Sequence, residues 1–169
     1  MAMSSDERAL AMSYFEDVTL GQRTELGSHT FTAEEIKAFA RRYDPQLFHV
    51  DEAVAARSHF GALCASGWHI GAVGMRLFVD TRRREDEARR RRGEPVANYG
   101  VSPGIRDVRW TKPVYVGDTI SYASEIVELR PAMSRPGWGL VSARTTGANQ
   151  GGELVYSTIG VVFVQRRPR

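Results

Sequence analysis

Tyr43–His69, YDPQLFHVDEAVAARSHFGALCASGWH, holds a carboxylate and an imidazole five positions apart, Asp44 and His49. Pro45 follows the acid directly, and its ring disfavours helix at Asp44, so the connection at 44–46 reads as a loop. Eighteen residues beyond His49, Gly67 opens a segment with helical periodicity. An acid, a base and a glycine-opened helix are three parts of a site that activates water beside a polarised carbonyl.

Upstream, Thr32-Ala-Glu-Glu35 is a capping box, and Ile36, Phe39, Ala40 and Tyr43 follow at helical spacing. This helix delivers Asp44 at its exit. Downstream, a short helix over about Asp51 to Arg57 closes over the site before Phe60-Gly61 turns the chain. From Ser66, the apolar residues Ile70, Val73, Leu77 and Phe78 fall on one helical face, with Gly74 among them. Gly67, Gly71 and Gly74 each cost about 1 kcal/mol relative to alanine in a helix interior. Packing of the helix on a sheet explains Gly71 and Gly74; Gly67 is read instead as the approach point of a ligand.

Elsewhere the texture is extended. Tyr14 to Leu20 reads as an extended lead-in, and Leu26 to Phe31 as a strand with weak alternation. Gly104–Trp110, Thr119–Leu129, Gly139–Ala148 and Glu153–Gln165 are β-rich runs separated by turn signals such as Gly117-Asp118 and Asn149-Gln-Gly-Gly152. They predict an antiparallel meander, and with one long helix an α+β layer whose sheet wraps around that helix. The run Arg82 to Arg92 (RRREDEARRRR) places acids before bases at i, i+4 in Glu85–Arg89, Asp86–Arg90 and Glu87–Arg91. That spacing predicts a solvated helical extension rather than a nucleic-acid patch. Gly93 and Pro95 stop it.

The two motifs D-P-Q-L-F-H and F-G-A-L-C-A-S-G-W-H resemble the MaoC-like hydratases, the (R)-specific enoyl-CoA hydratase group of hotdog-fold proteins. Their signature places Asp and His five apart in D-x-N-P-L-H, with a small-residue helix start at this distance downstream. Arg109–Thr119 (RWTKPVYVGDT) resembles the family's strand-turn-strand motif. With Tyr14-Phe15-Glu16-Asp17, the likeness runs from about residue 14 to the chain end. Pro45 sits directly after the acid, Gln46 replaces the signature Asn, and Met75 stands where the closest members carry a serine. Asp44 and His49 remain in register. The resemblance implies one single hotdog domain over 14–169, preceded by a tail at 1–13, with 82–95 as an Arg-rich insertion.

It also implies reversible hydration of a trans-2-enoyl thioester carried by coenzyme A or acyl carrier protein. Asp44 and His49 would activate one water, the Gly67 backbone N–H would meet the thioester oxygen, and Ser66 would touch substrate. No further cofactor and no metal are expected. A thioesterase and a non-catalytic acyl-thioester-binding protein are the alternatives, since a fold does not fix a reaction. Of the other histidines, His29, His59 and His69 have no comparable partner and are read as structural.

The chain of 169 residues, 42% hydrophobic and 25% charged, suits one globular domain. It has no apolar run near the ~20 residues that span a bilayer and no signal-peptide pattern at its start. One cysteine, Cys64, excludes an internal disulfide and reads as a small packed residue. A cytoplasmic protein is expected, with no membrane or nucleic-acid partner; the formal charge of +3 is too modest for the latter. A single sheet around one helix leaves an edge strand and an apolar flank, so a homodimer is expected.

Overall fold

Thr32 opens the first helix as its spacing predicts. In the computed structural model, which describes residues 14–168, its hydroxyl accepts the Glu35 N–H at 3.3 Å, and the Glu35 carboxylate accepts the Thr32 N–H at 3.3 Å. Helix α1, Ala33–Tyr43, buries Ile36 and Ala40 and ends where the Asp44 N–H reaches Ala40 O at 2.9 Å. A short turn that was not expected, α2 (Leu47–Val50), precedes α3 (Glu52–Ala56), which is the helix expected over 51–57, with Asp51 and Arg57 as its caps. Asp51 separates them because its carboxylate caps α3, accepting the Val54 N–H at 2.9 Å. The tail expected at 1–13 lies outside the described residues. The extended lead-in is broken by a 3-10 turn at Phe15–Asp17, tied by the Tyr14 N–H donating to the Asp17 carboxylate at 2.9 Å.

Helix α4 runs unbroken from Gly67 to Arg91. Ile70 is buried on its inner face, with Val73, Leu77 and Phe78 packed on the same core. Side chains from the sheet press on its glycines. A Cβ at Gly71 would lie 3.2 Å from the Tyr156 hydroxyl, and one at Gly74 would lie 3.0 Å from the Tyr122 ring. Tyr122 is anchored there by donating to Ile70 O at 3.0 Å. Both glycines therefore serve close packing, as expected.

The Arg-rich run is the second half of α4, but only one of its faces is solvated. Thr81, Glu85 and Arg89 are buried, and Arg82 lies over the Tyr99 ring at 4.1 Å. The ion pairs also differ from the i, i+4 set expected: Arg82 meets Glu85 at 3.6 Å and Asp86 at 4.0 Å, while Arg89 meets Glu94 at 3.5 Å. Long arginine stems cover apolar surface while keeping their heads paired, so the stripe continues in charged residues. Burial raises the Glu85 carboxyl pKa, opposed by Arg82. Arg90→Gln and Arg91→Gln are accordingly expected to change stability by less than about 0.5 kcal/mol. Arg89→Gln should cost about 1–3 kcal/mol, because it breaks a charged contact at a buried position. Denaturant titration of the three variants checks this ranking; equal losses would place Arg89 on the solvated face.

The sheet has five strands: β1 (Arg23–Thr30), β2 (Gly104–Trp110), β3 (Thr119–Pro131), β4 (Trp138–Ala148) and β5 (Leu154–Gln165). Their order is β1-β3-β4-β5-β2, and every neighbouring pair is antiparallel. The last three form the expected meander, but β2 crosses to the far edge beside β5, and β1 takes the place next to β3. The weak alternation of β1 reflects a bulge between Glu25 and Gly27. Leu26, Ile70, Ile120, Tyr122, Val155 and Tyr156 share one core between sheet and α4. This is the α+β hotdog arrangement. Among the described residues, no helix is long and apolar enough to cross a membrane.

Candidate active site

The exit of α1, the turn α2, the start of α4 and the loop after β2 meet around a cleft of about 430 Å³. Asp44, Gln46, Phe48, His49, Gly67 and Trp110 are among its lining residues. His49 is 5% exposed. Its Nδ1 lies 2.7 Å from Cys64 O. A carbonyl can only accept, so Nδ1 carries the hydrogen, and in the neutral ring Nε2 is left as an acceptor. That Nε2 faces Asp44 Oδ2 at 3.6 Å. Two acceptors at this separation do not bond each other; they frame a position for a donor with two hydrogens.

Asp44 is held from both sides. Ser66 Oγ donates to Oδ2 at 2.7 Å, and Gln46 Nε2 donates to Oδ1 at 2.8 Å. Burial raises the Asp44 pKa, but the hydrogen bonds from Ser66 and Gln46, with His49 nearby, outweigh it and hold the carboxyl below its ordinary value. Gln46, standing where the resembled signature has Asn, thus acts on the acid itself.

Ser66, expected to touch substrate, is fully buried. Its oxygen caps α4 by accepting the Trp68 N–H at 3.2 Å while its hydroxyl hydrogen goes to Asp44. It positions the acid and winds the helix; it does not line the cleft. Ser66→Ala should therefore do three things. It should cost about 0.5–2 kcal/mol as a lost cap. It should lower kcat by about 10-fold through loosened geometry. And it should move the acid limb of the kcat/KM profile to higher pH. The sign follows from linkage: a depressed folded pKa gives stability present above the unfolded pKa and lost as pH falls through the folded one, so removing the Ser66 bond raises that pKa and narrows the window. An unmoved acid limb would uncouple Ser66 from Asp44.

Gly67 is the first residue of α4, where N–H groups have no intrahelical acceptor and the dipole favours negative charge. Among the described residues, none accepts from the Gly67 N–H. The reason for glycine here differs from the one expected. A Cβ would point at the Trp110 ring, 2.5 Å from its nearest atom, and Trp110 Nε1 donates to Gly67 O at 2.8 Å. Trp110, at the end of β2, has its own edge-to-face contact with Trp68, centroids 5.1 Å apart. Nothing in the helix pattern pointed to Trp110; it lies within the RWTKPVYVGDT motif, 43 residues from its partner. In the same loop, Lys112 pairs with Glu153 at the cleft rim.

The other three histidines stay outside the cleft, whereas Cys64 lies in its wall beside His49. His69 stacks on Phe39, rings 4.6 Å apart, and meets Phe31 edge-on; burial lowers its pKa. His29 approaches Glu35 at 3.4 Å, and His59 packs on Phe60. The Cys64 thiol is buried and pushed up to about 11 by desolvation, which leaves it unreactive at neutral pH. Among the described residues, no cluster of three or more His, Cys, Asp or Glu side chains is arranged to hold a metal.

Comparison with known proteins identifies the family. A MaoC-like domain model matches residues 17–136. The MaoC-like dehydratase from Rhodospirillum rubrum superposes with a TM-score of 0.75 at 33% identity, covering 92% of this chain and 99% of that one. Among curated proteins, YdeM of Bacillus subtilis, itself uncharacterised, is 25% identical over 72% of this chain and 79% of its own. Mesaconyl-CoA hydratase of Cereibacter sphaeroides is 42% identical over 72 residues, 43% of this chain but only 20% of that protein. With the family model spanning most of its length and the R. rubrum dehydratase sharing its fold over 92% of it, this chain belongs to the MaoC-like domain family.

Proposed function

We propose that the protein is a hydro-lyase that reversibly hydrates a trans-2-enoyl thioester of coenzyme A or acyl carrier protein. The observation that carries this reading is the convergence of two acceptors, Asp44 Oδ2 and His49 Nε2, 3.6 Å apart, beside the unengaged Gly67 N–H. One water fits between them, donating a hydrogen to each and keeping its lone pairs free. The water oxygen adds to Cβ as one of its protons passes to the pair, and a proton from the pair is delivered to Cα. Negative charge that develops on the thioester oxygen meets the Gly67 N–H at the positive end of α4. The mesaconyl-CoA hydratase likeness and the R. rubrum dehydratase support the same reaction class.

Absorbance at the enoyl chromophore, followed with crotonyl-CoA and longer enoyl-CoA esters, tests the proposal. Loss of that absorbance without thiol release supports it. Thiol release instead selects the thioesterase alternative, and tight binding without turnover selects a carrier. We further propose a homodimer closed at the β2 edge, where Val101 and Ile105 are exposed. A particle of twice the chain mass is expected from light scattering at micromolar concentration; a monomer there overturns it.

A further inference from the structure

Two contacts hold the exit of α1 against the entry of α4. The first is the Ser66–Asp44 hydrogen bond. The second lies about one turn further into each helix, where the His69 ring stacks on Phe39 with centroids 4.6 Å apart and planes 6° apart. Phe39 precedes Asp44 on α1, and His69 follows Gly67 on α4. The stack therefore bridges the helix that delivers the acid and the helix that presents the N–H donor. Phe31, just past β1, meets the same imidazole edge to face at 5.1 Å.

A hydrocarbon ring would satisfy this stack, yet the residue is a histidine. It is 7% exposed, and among the described residues its buried Nδ1 has no hydrogen-bond partner. It sits in the first turn of α4, where free N–H groups and the helix dipole disfavour a positive charge. The charged or titratable groups that act on it are Glu35 of α1 and His29 of β1. Glu35 is already engaged: its Oε2 accepts from the Thr32 N–H and hydroxyl and lies 3.4 Å from His29 Nε2. The Phe39 face attracts a cation, but for a ring this deeply buried the loss of water is the larger effect. Burial outweighs the pull of Glu35 and holds the imidazole below its ordinary pKa.

We infer that His69 is a positioning residue whose neutral ring, stacked on Phe39, locks the Asp44 and Gly67 halves of the site together, and that protonation of the ring releases the lock. The positioning role rests on the hydratase reading; the proton-sensitive stack does not. Once released, the first turn of α4 is free to leave α1, and the Ser66 hydroxyl and Gly67 N–H leave Asp44 with it. The sign follows from linkage. A folded pKa below the unfolded one gives stability that is full above the unfolded value and lost as pH falls through the folded one. The lock opens in acid.

The test compares the full chain with His69→Phe, His69→Gln and His69→Ala. Melting temperatures are read near neutrality and at about pH 5, well below the ordinary imidazole value. On acidification the wild type should lose at least about 3 °C more than His69→Phe and His69→Gln do, the shift that one lost proton-linked contact gives in a chain of this size. Every other titrating group is common to the three and cancels. With crotonyl-CoA at neutral pH, His69→Ala should lower kcat by about 10- to 100-fold with KM little changed, as a misplaced site does. His69→Phe, which keeps a ring on Phe39, should recover most of that rate. An equal acid loss in the wild type and the non-titrating variants overturns the inference. So does wild-type kcat in His69→Ala, which would leave the stack merely structural and the hydratase reading intact. If His69→Phe overpacks and does not fold, His69→Gln carries the acid comparison, and an equal loss there is just as fatal. If the wild type hydrates no enoyl ester, the hydratase reading falls, and the acid comparison judges the lock by itself.

Discussion

Asp44→Asn and His49→Ala are each expected to lower kcat by ~10²–10⁴, the range over which positioned acid–base groups act. The two oxygen and nitrogen acceptors address one water, so the double variant should be little worse than either single one; losses in a unit do not add. Asparagine keeps one acceptor oxygen, enough for Ser66 or Gln46 but not both, and Asp44 lies in a half-open turn where a turned hydroxyl or amide relieves the mismatch, so Asp44→Asn should still fold. His49→Ala opens a cavity at a buried position, and circular dichroism must show it folded before its rate is read. Binding of butyryl-CoA should survive in all three, because the contact assigned to Gly67 is made by backbone. Multiplicative losses would assign the two groups to separate steps. Near-wild-type turnover in either single variant would remove the shared water.

Gly67→Ala should be nearly as damaging, for a different reason. On helix propensity alone alanine is favoured by up to about 1 kcal/mol. Its methyl would nevertheless stand 2.5 Å from the Trp110 ring, and overpacking of this kind costs about 1–3 kcal/mol. The clash wins. Relief requires the indole to leave, or the first turn of α4 to tilt and carry the N–H off the thioester oxygen. Loss of one such donor corresponds to about 10²–10³ in kcat. Adding Trp110→Ala should restore the melting temperature of Gly67→Ala, since it removes the obstacle. A Gly67→Ala variant with wild-type stability and rate would mean that the ring yields freely and that the N–H is not used.

The approach of Asp44 to His49 was legible because five residues around a proline leave few geometries, and the capping box before them fixes the helix that delivers Asp44. The long helix was legible through Ile70, Val73, Leu77 and Phe78. Its second half reads in sequence as a solvated extension because Arg82, Glu85 and Arg89 carry the inner stripe in charged residues, which periodicity of apolar side chains does not register. The turn α2 is four residues long, too short for any period. Strand order was out of reach as well: the run of turn signals suggests neighbours in sequence order, whereas β2 pairs with β5 and leaves β3 to β1. Ser66 and Trp110 show the same limit at the site. What each does depends on a partner 22 or 43 residues away, and a linear pattern contains neither distance.

On the proposed mechanism, Ser66 ties turnover to the fraying of a helix end. One oxygen holds the Trp68 N–H and the Asp44 carboxylate together, so the acid is in place only while the first turn of α4 is wound. Helix ends open far more often than whole domains do, with local free energies well below the global one. Each such opening frees the carboxylate and withdraws the Gly67 N–H in the same motion. On warming, activity should therefore fade with the local opening of residues 66–68, before the sheet melts, and amide exchange at Trp68 should follow the loss of rate more closely than exchange in β3 and β4 does.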